Sequence, residues 1–196
     1  LYYFIRRHYI DFGDPIFEKR RLNFGDKKYV GECKNFKPHG YGSMFFNNGN
    51  KYEGEFKDGY ECGVGTYTYA CGDQYKGEFE YNLEWGSYQH GQGTYTHANG
   101  DQYKGEWKEA LPSGIGVHTW ANGDKYEGEW KFGSKHGQGT YTYTNGEKYE
   151  GKWEDDLKHG QGTQIYKSGA KYEGEWKDGV RHGKGVCIWP DGREYH

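Results

Sequence analysis

Leucine, isoleucine, valine and phenylalanine together supply only about an eighth of these 196 residues, methionine occurs once and proline four times. So few aliphatic side chains would suit a disordered segment. No apolar stretch approaches the roughly 18 residues that a transmembrane helix needs, so a soluble protein is expected. Cysteine is also scarce: Cys33, Cys62, Cys71 and Cys187 show no Cys-x-x-Cys spacing, and no Asn-x-Ser/Thr sequon is present. A reducing, intracellular compartment fits both features. The net charge of -3, with both signs interspersed, lacks the basic excess that releases counterions from a nucleic-acid backbone. Nucleic acid is therefore not an expected partner.

What is abundant answers the composition problem. The chain holds 21 Tyr, 10 Phe and 7 Trp, and each of these rings buries far more area than a small aliphatic side chain. The core must be aromatic. The 34 glycines disfavour helices, because an interior Gly costs about 1 kcal/mol relative to Ala. An all-β fold is expected.

Alignment on Tyr-x-Gly-x-aromatic places repeat starts at Tyr29, Tyr52, Tyr75, Tyr103, Tyr126, Tyr149 and Tyr172, with Tyr195 opening an eighth. The best preserved unit runs YEGEWKFGSKHGQGTYTYTNGEK from Tyr126 to Lys148. Tyr126, Gly128 and Trp130 alternate with Glu127, Glu129 and Lys131, then Gly139, Tyr141 and Tyr143 alternate with Thr140 and Thr142. This period of two predicts a hairpin per unit, with Phe132 to Gly137 as the link and Asn145-Gly146 supplying the positive φ of the next tight turn. The glycines at the third and fourteenth positions share a face with the rings and leave room for a neighbouring Trp or Tyr to lie flat on bare backbone. The expected structural ladder is Tyr52, Phe56, Tyr75, Phe79, Tyr103, Trp107, Tyr126, Trp130, Tyr149, Trp153, Tyr172 and Trp176. One hairpin would not be stable alone, so stability must come from stacking.

The opposite face carries Glu32, Glu55, Glu78, Glu106, Glu129 and Glu175 at the fourth position, with Lys34, Lys57, Lys108, Lys131 and Lys177 two residues on. Lys152 and Glu154 exchange the signs in the sixth repeat, which suggests matched columns as the alternative to a merely solvated surface. His39, His90, His136, His159 and His182 recur once per unit. Their separation of about 10 Å is too wide for a zinc site, so they are read as structural turn residues. Gly91-Gln92-Gly93 leads into a strand and not a helix, which argues against a phosphate loop. No catalytic group, metal or cofactor is expected.

These units, HGQGTYT (His90 to Thr96, His136 to Thr142) and YEGEWK (Tyr126 to Lys131, Tyr172 to Lys177) above all, resemble the MORN repeat over residues 29 to 194. The resemblance implies an elongated, twisted antiparallel sheet of about seven stacked hairpins. It also implies binding of protein or lipid, since MORN repeats build scaffolds of cilia, flagella and the cytoskeleton, including radial-spoke heads, and occur in junctional proteins that bridge membranes. They also precede catalytic domains in plant phosphatidylinositol phosphate kinases and some histone methyltransferases. With no room here for a kinase or SET domain, the chain looks like a stand-alone scaffold in a ciliary or flagellar axoneme or another cytoskeletal assembly. The alternatives are a phospholipid-binding tether, for which Lys51, Lys125, Lys148 and Lys171 at repeat ends would serve, and the regulatory region of a larger enzyme. The acidic balance counts against the tether.

Departures from the pattern point to partner contacts. The third repeat is five residues longer, and Tyr81 to Tyr88 stand where a short turn belongs. Leu83, Trp85 and Tyr88 there could anchor a protein partner, or fold back over their own hairpin. The fourth repeat has Ala110-Leu111-Pro112-Ser113 in place of the usual turn residues, which adds Leu111 to the expected contact area. Residues 1 to 28 precede the array, with Lys19-Arg20-Arg21 and the aromatics Tyr2, Tyr3, Phe4 and Tyr9. They read as a capping hairpin or a docking arm. An unpaired edge after Tyr195 could serve a homodimer.

Overall fold

The computed structural model describes residues 18–196; Tyr2, Tyr3, Phe4 and Tyr9 lie outside the described residues. Among the described residues one antiparallel sheet contains all 16 strands in chain order. They are β1 (Glu18–Asn23), β2 (Lys27–Lys34), β3 (Lys37–Phe46), β4 (Lys51–Lys57), β5 (Tyr60–Thr68), β6 (Gln74–Asn82), β7 (Gly86–Thr96), β8 (Gln102–Lys108), β9 (Leu111–Thr119), β10 (Lys125–Lys131), β11 (Ser134–Thr142), β12 (Lys148–Glu154), β13 (Leu157–Ile165), β14 (Lys171–Lys177), β15 (Val180–Ile188) and β16 (Glu194–Tyr195). No helix among the described residues is long and apolar enough to cross a membrane. β1 pairs with β2 from Glu18↔Cys33 to Asn23↔Lys28 and so covers the outer edge of the first hairpin. β16 meets β15 only at Cys187↔Tyr195 and Ile188↔Glu194.

Two kinds of turn alternate along the sheet. Within every unit but the third the link is two residues, both with positive φ, as at Phe132 (50°) and Gly133 (83°). This is the left-handed geometry of a type I′ turn, whose twist matches the flanking strands. The expected link from Phe132 to Gly137 is therefore too long, because Ser134 to Gly137 already belong to β11. A bulge misled the alternation: Gly128 faces Gly139 and Glu129 faces His136, with the register shifting between them. The fourth repeat makes the same turn through Glu109 (51°) and Ala110 (64°), so its odd residues change the chemistry and not the geometry. Between units, Gly146 has φ 90° and its N–H donates to the Tyr143 carbonyl at 3.0 Å, while the Asn145 side chain accepts from Glu147 N at 2.9 Å.

The core is a single file of rings. Tyr126 is fully buried and lies between Trp130 of its own unit, 5.2 Å away at 87°, and Trp153 of the next, 5.3 Å away at 84°. The same edge-to-face contacts run from Tyr29–Phe56 to Tyr172–Trp176. Such pairs stabilise by roughly 0.5–1.5 kcal/mol each beyond area burial, and here each joins the ring to one neighbour. The room comes from glycine: a Cβ on Gly139 would fall 2.2 Å from the Tyr126 hydroxyl, and Gly128 faces Gly139 across the pair. It is thus the unit's own tyrosine, not a neighbour's ring, that lies over the bare backbone. Its hydroxyl donates to the Glu129 carbonyl at 3.0 Å. From the fourth unit on, each ladder Trp (Trp107, Trp130, Trp153 and Trp176) donates from Nε1 to a glycine carbonyl of the preceding unit, as Trp153 does to Gly139 O at 3.1 Å.

The acidic column has a role that differs from the expected pairing. Among the described residues no ion pair joins a fourth-position Glu to the Lys two residues on; lysines at unit ends pair instead with second-position acids, as Lys125 does with Glu127 at 2.8 Å. The fourth-position carboxylate turns back on the bulge, where Glu129 Oε1 accepts from Gln138 N at 2.7 Å and Glu78 Oε1 from Gln92 N at 2.9 Å. It satisfies an amide that the bulge removes from the ladder. The recurrent histidines stand in second strands beside this bulge and not in the turns; His39 Nδ1 lies 3.5 Å from Asp58 and His136 Nδ1 3.8 Å from Asp155 of the following turn, while His90 Nδ1 lies 3.2 Å from Glu80 and His159 Nε2 3.4 Å from Glu154 of their own hairpins.

Candidate functional site

The third hairpin departs most from its neighbours. Its five extra residues do not form a loop. Strand pairing continues past Glu80↔Tyr88 through Tyr81↔Ser87 to Asn82↔Gly86, so β6 and β7 project beyond the common turn line by two residue pairs. Only Leu83, Glu84 and Trp85 form the tip. Asn82 Oδ1 orders it by accepting from Glu84 N at 3.0 Å and Trp85 N at 2.7 Å. The arm leans on the second unit, where Tyr81 stacks on Tyr60 at 3.7 Å and Ser87 Oγ donates to Glu61 at 2.9 Å.

The expected contact residues separate into three environments. Leu83 is 92% exposed and Trp85 57% exposed, so neither folds back onto the hairpin. Tyr88 is half-buried, its ring 6.1 Å from that of Trp85 and its hydroxyl donating to Glu80 at 3.0 Å. It props the tryptophan from below. Leu111 is exposed at the start of β9, beside the adjoining fourth turn, with its Cδ2 towards Gly133 of the fifth. The structure thus joins Trp85 and Tyr88 and places Leu111 beside the neighbouring turn. The two turns are themselves tied, since Ala110 N donates to the Gln89 carbonyl of β7 at 3.0 Å.

The ladder residues are buried on the other axis of the sheet: Tyr52, Tyr75, Tyr126 and Tyr149 are fully so, and Phe56, Phe79, Tyr103, Trp107, Trp130, Trp153, Tyr172 and Trp176 nearly so. Burial raises the phenolic pKa of these tyrosines above its ordinary value, to about 12 at Tyr149. They are placed to hold units together and present no reactive group. Among the described residues no cluster of three His, Cys, Asp or Glu is placed to hold a metal ion. On the face opposite the ladder, the glycine pairs leave an open groove of about 870 Å³ lined by Gln138, Glu150, Gln161, Glu173, Glu175 and Lys184 among others.

One feature escaped the sequence reading. At the tenth position, opposite the Trp slot, the last three units carry Lys135, Lys158 and Arg181. The signal was present as three successive cations at one register position, but it emerges only once the bulge fixes which residue faces the ring.

A sheet whose strand order follows chain order, assembled from one repeated hairpin, is a repeat protein, and such folds offer extended binding surfaces. The family profile described as MORN repeat matches residues 29–51, 52–74, 88–102, 103–125, 126–148, 149–171 and 172–192. The chain belongs to the MORN-repeat family, and its repeats are of the interaction-scaffold type. The match resumes at residue 88 after the projecting arm. No curated protein matches the sequence. Similar solved structures include the TCP domain of Drosophila melanogaster SAS-4 (dCPAP) in complex with a proline-rich motif of Ana2 (dSTIL), at 14% identity and TM-score 0.49 over 97% of this chain and 96% of that one. The G-box domain of the microcephaly protein CPAP is similar at 14% identity and TM-score 0.47, covering 91% and 97%. The TCP10 domain of Danio rerio CPAP follows at 11% identity and TM-score 0.41, covering 87% and 71%.

Proposed function

We propose that this chain is a non-catalytic protein–protein scaffold, a structural component of a ciliary or flagellar axoneme or a related cytoskeletal assembly. The family resemblance supports the setting. The observation that supports the role is the third-hairpin tip: a hydrogen-bonded turn that holds Leu83 and Trp85 out in water. Exposed aromatic and aliphatic groups on a rigid support are what interface anchors look like, and Leu111 beside the adjoining turn extends the same edge.

A photo-crosslinking residue in place of Leu83 tests this, with Thr119, exposed on the end of β9, as the control position. In extracts of ciliated cells, one defined protein adduct should form at position 83 and be absent at position 119. Identical adducts at both positions, or none at 83, would contradict the reading.

A further inference from the structure

The tenth position changes character along the array. It holds Pro38, Glu61, Gln89 and Pro112 in the first four units and Lys135, Lys158 and Arg181 in the last three. Each cation lies on ladder rings. Lys135 Nζ is 4.8 Å from the Trp153 centroid, Lys158 Nζ is 4.8 Å from Tyr149 and 4.9 Å from Trp176, and Arg181 Cζ is 4.5 Å from Tyr172. Burial lowers the pKa of Lys135 and Lys158 from the ordinary lysine value, so their ammonium groups have lost part of their hydration.

These charges are poorly neutralised. Lys135 has Asp156 at 3.7 Å. Lys158 donates to the Gln164 amide oxygen, and Arg181 donates to the Tyr166 hydroxyl and to Cys187 Sγ. Among the described residues neither Lys158 nor Arg181 forms an ion pair with a carboxylate. Between Lys135 and Lys158 opens a cleft of about 300 Å³, walled by Tyr141, Tyr143 and Trp153 with Leu157 and the Asp156 carboxylate also in its lining, large enough for a side chain.

The spacing of the cations selects a ligand. Successive units are two strands apart, about 9.4–9.8 Å. A polyproline II strand advances about 3.1 Å per residue with three residues per turn, so every third side chain lies on one edge, about 9.3 Å from the last. We propose that the ladder face of the last three units holds an extended acidic segment of a partner protein, with carboxylates three residues apart meeting Lys135, Lys158 and Arg181. This rests on the scaffold reading but uses a surface separate from the third-hairpin tip. The bland reading is that the cations merely lay their aliphatic stems over the rings.

The two readings separate with methionine, which keeps an unbranched stem and removes the charge. The probe is a fluorescent peptide of four Glu-Pro-Pro units, followed by anisotropy with the full chain at low salt. Binding should weaken roughly fivefold for each of Lys158→Met and Arg181→Met and weaken as salt rises, while the far-UV spectrum and melting stay put. Should those variants misfold, the wild-type protein still decides the matter, because Gln-Pro-Pro peptides should not bind and a Glu-Pro repeat, with its wrong spacing, should bind more weakly. Equal binding of the Gln or Glu-Pro peptides would overturn the proposal, as would unchanged affinity in folded Met variants. Capture of phosphatidylserine vesicles in place of the peptide would overturn it too. Crosslinking through position 83 should persist in the Met variants, so failure here is distinguishable from failure of the scaffold reading.

Discussion

Replacing Gly139 by Ala should disable the fifth unit more severely than any exposed substitution. The added Cβ would lie 2.2 Å from the Tyr126 hydroxyl and 2.5 Å from Cζ. The ring cannot step aside, because Trp130 and Trp153 hold it at 5.2 and 5.3 Å. Relief therefore requires moving a fully buried tyrosine. An aromatic side chain buries about 150–250 Å², and at about 25 cal/mol per Å² complete expulsion costs roughly 4–6 kcal/mol, an upper figure that backbone relaxation would reduce. Gly146→Ala is the matched control. Nothing lies within 4 Å of its added Cβ, but φ is 90°, so the cost is the left-handed penalty of roughly 1–2 kcal/mol. Because repeat arrays couple mainly through neighbours, a weakened fifth unit should also uncouple the last two units from the first four. Urea unfolding followed by far-UV circular dichroism and tryptophan fluorescence should show one transition for the wild type and Gly146→Ala and two for Gly139→Ala. A Gly139→Ala cost no larger than that of Gly146→Ala would refute the packing argument.

Ala110 sits at φ 64° in the second position of its turn, so Ala110→Gly should raise stability by about 1 kcal/mol, visible as a melting point up by a few degrees; a lower one would contradict the turn assignment. The ladder tyrosines are held protonated by burial, with Tyr149 at about 12 against an ordinary 10.0. Their folded pKa is raised, so their contribution is full below about pH 10 and lost as pH rises towards the folded value. Titration at 295 nm should show phenolate appearing together with loss of the β spectrum, and free ionisation of the ladder near pH 10 in the folded state would count against burial. Asp124 accepts from Thr144 N at 2.9 Å, and that bond is the main cause of its lowered pKa. A depressed carboxylate contributes above its unfolded value and loses that contribution as pH falls through the folded one. Wild-type stability should therefore drop below about pH 4 more steeply than that of Asp124→Asn; parallel acid curves would contradict a stabilising role for the Asp124–Thr144 bond.

The hairpins were legible because Tyr126-x-Gly128-x-Trp130 shows period two and Asn145-Gly146 names its own turn. Neither signal needs tertiary context. What alternation could not show is the bulge. Gly137, at φ 58°, resets the register after Ser134-Lys135-His136, so these strand residues looked like a link and Lys135 could not be assigned to the ladder face. The role of Glu129 was hidden for a related reason: its partner is a backbone amide, Gln138 N, and backbone partners leave no compositional trace. At Tyr81 to Tyr88 a mixed polar and aromatic run hid two further strand pairs, which become evident only when Asn82↔Gly86 closes the arm. The environments of Leu83 and Leu111 likewise depend on which turn each one joins.

The most direct test of the scaffold account is co-purification with a shortened third hairpin, in which residues 81–87 are replaced by Asp-Gly to restore the regular two-residue turn. The account predicts an unchanged β spectrum and a single unfolding transition, with a melting point lowered only by the loss of the Tyr81–Tyr60 and Ser87–Glu61 contacts, together with loss of the defined partner that the wild-type chain retains. Full partner recovery by the shortened, folded protein would contradict it.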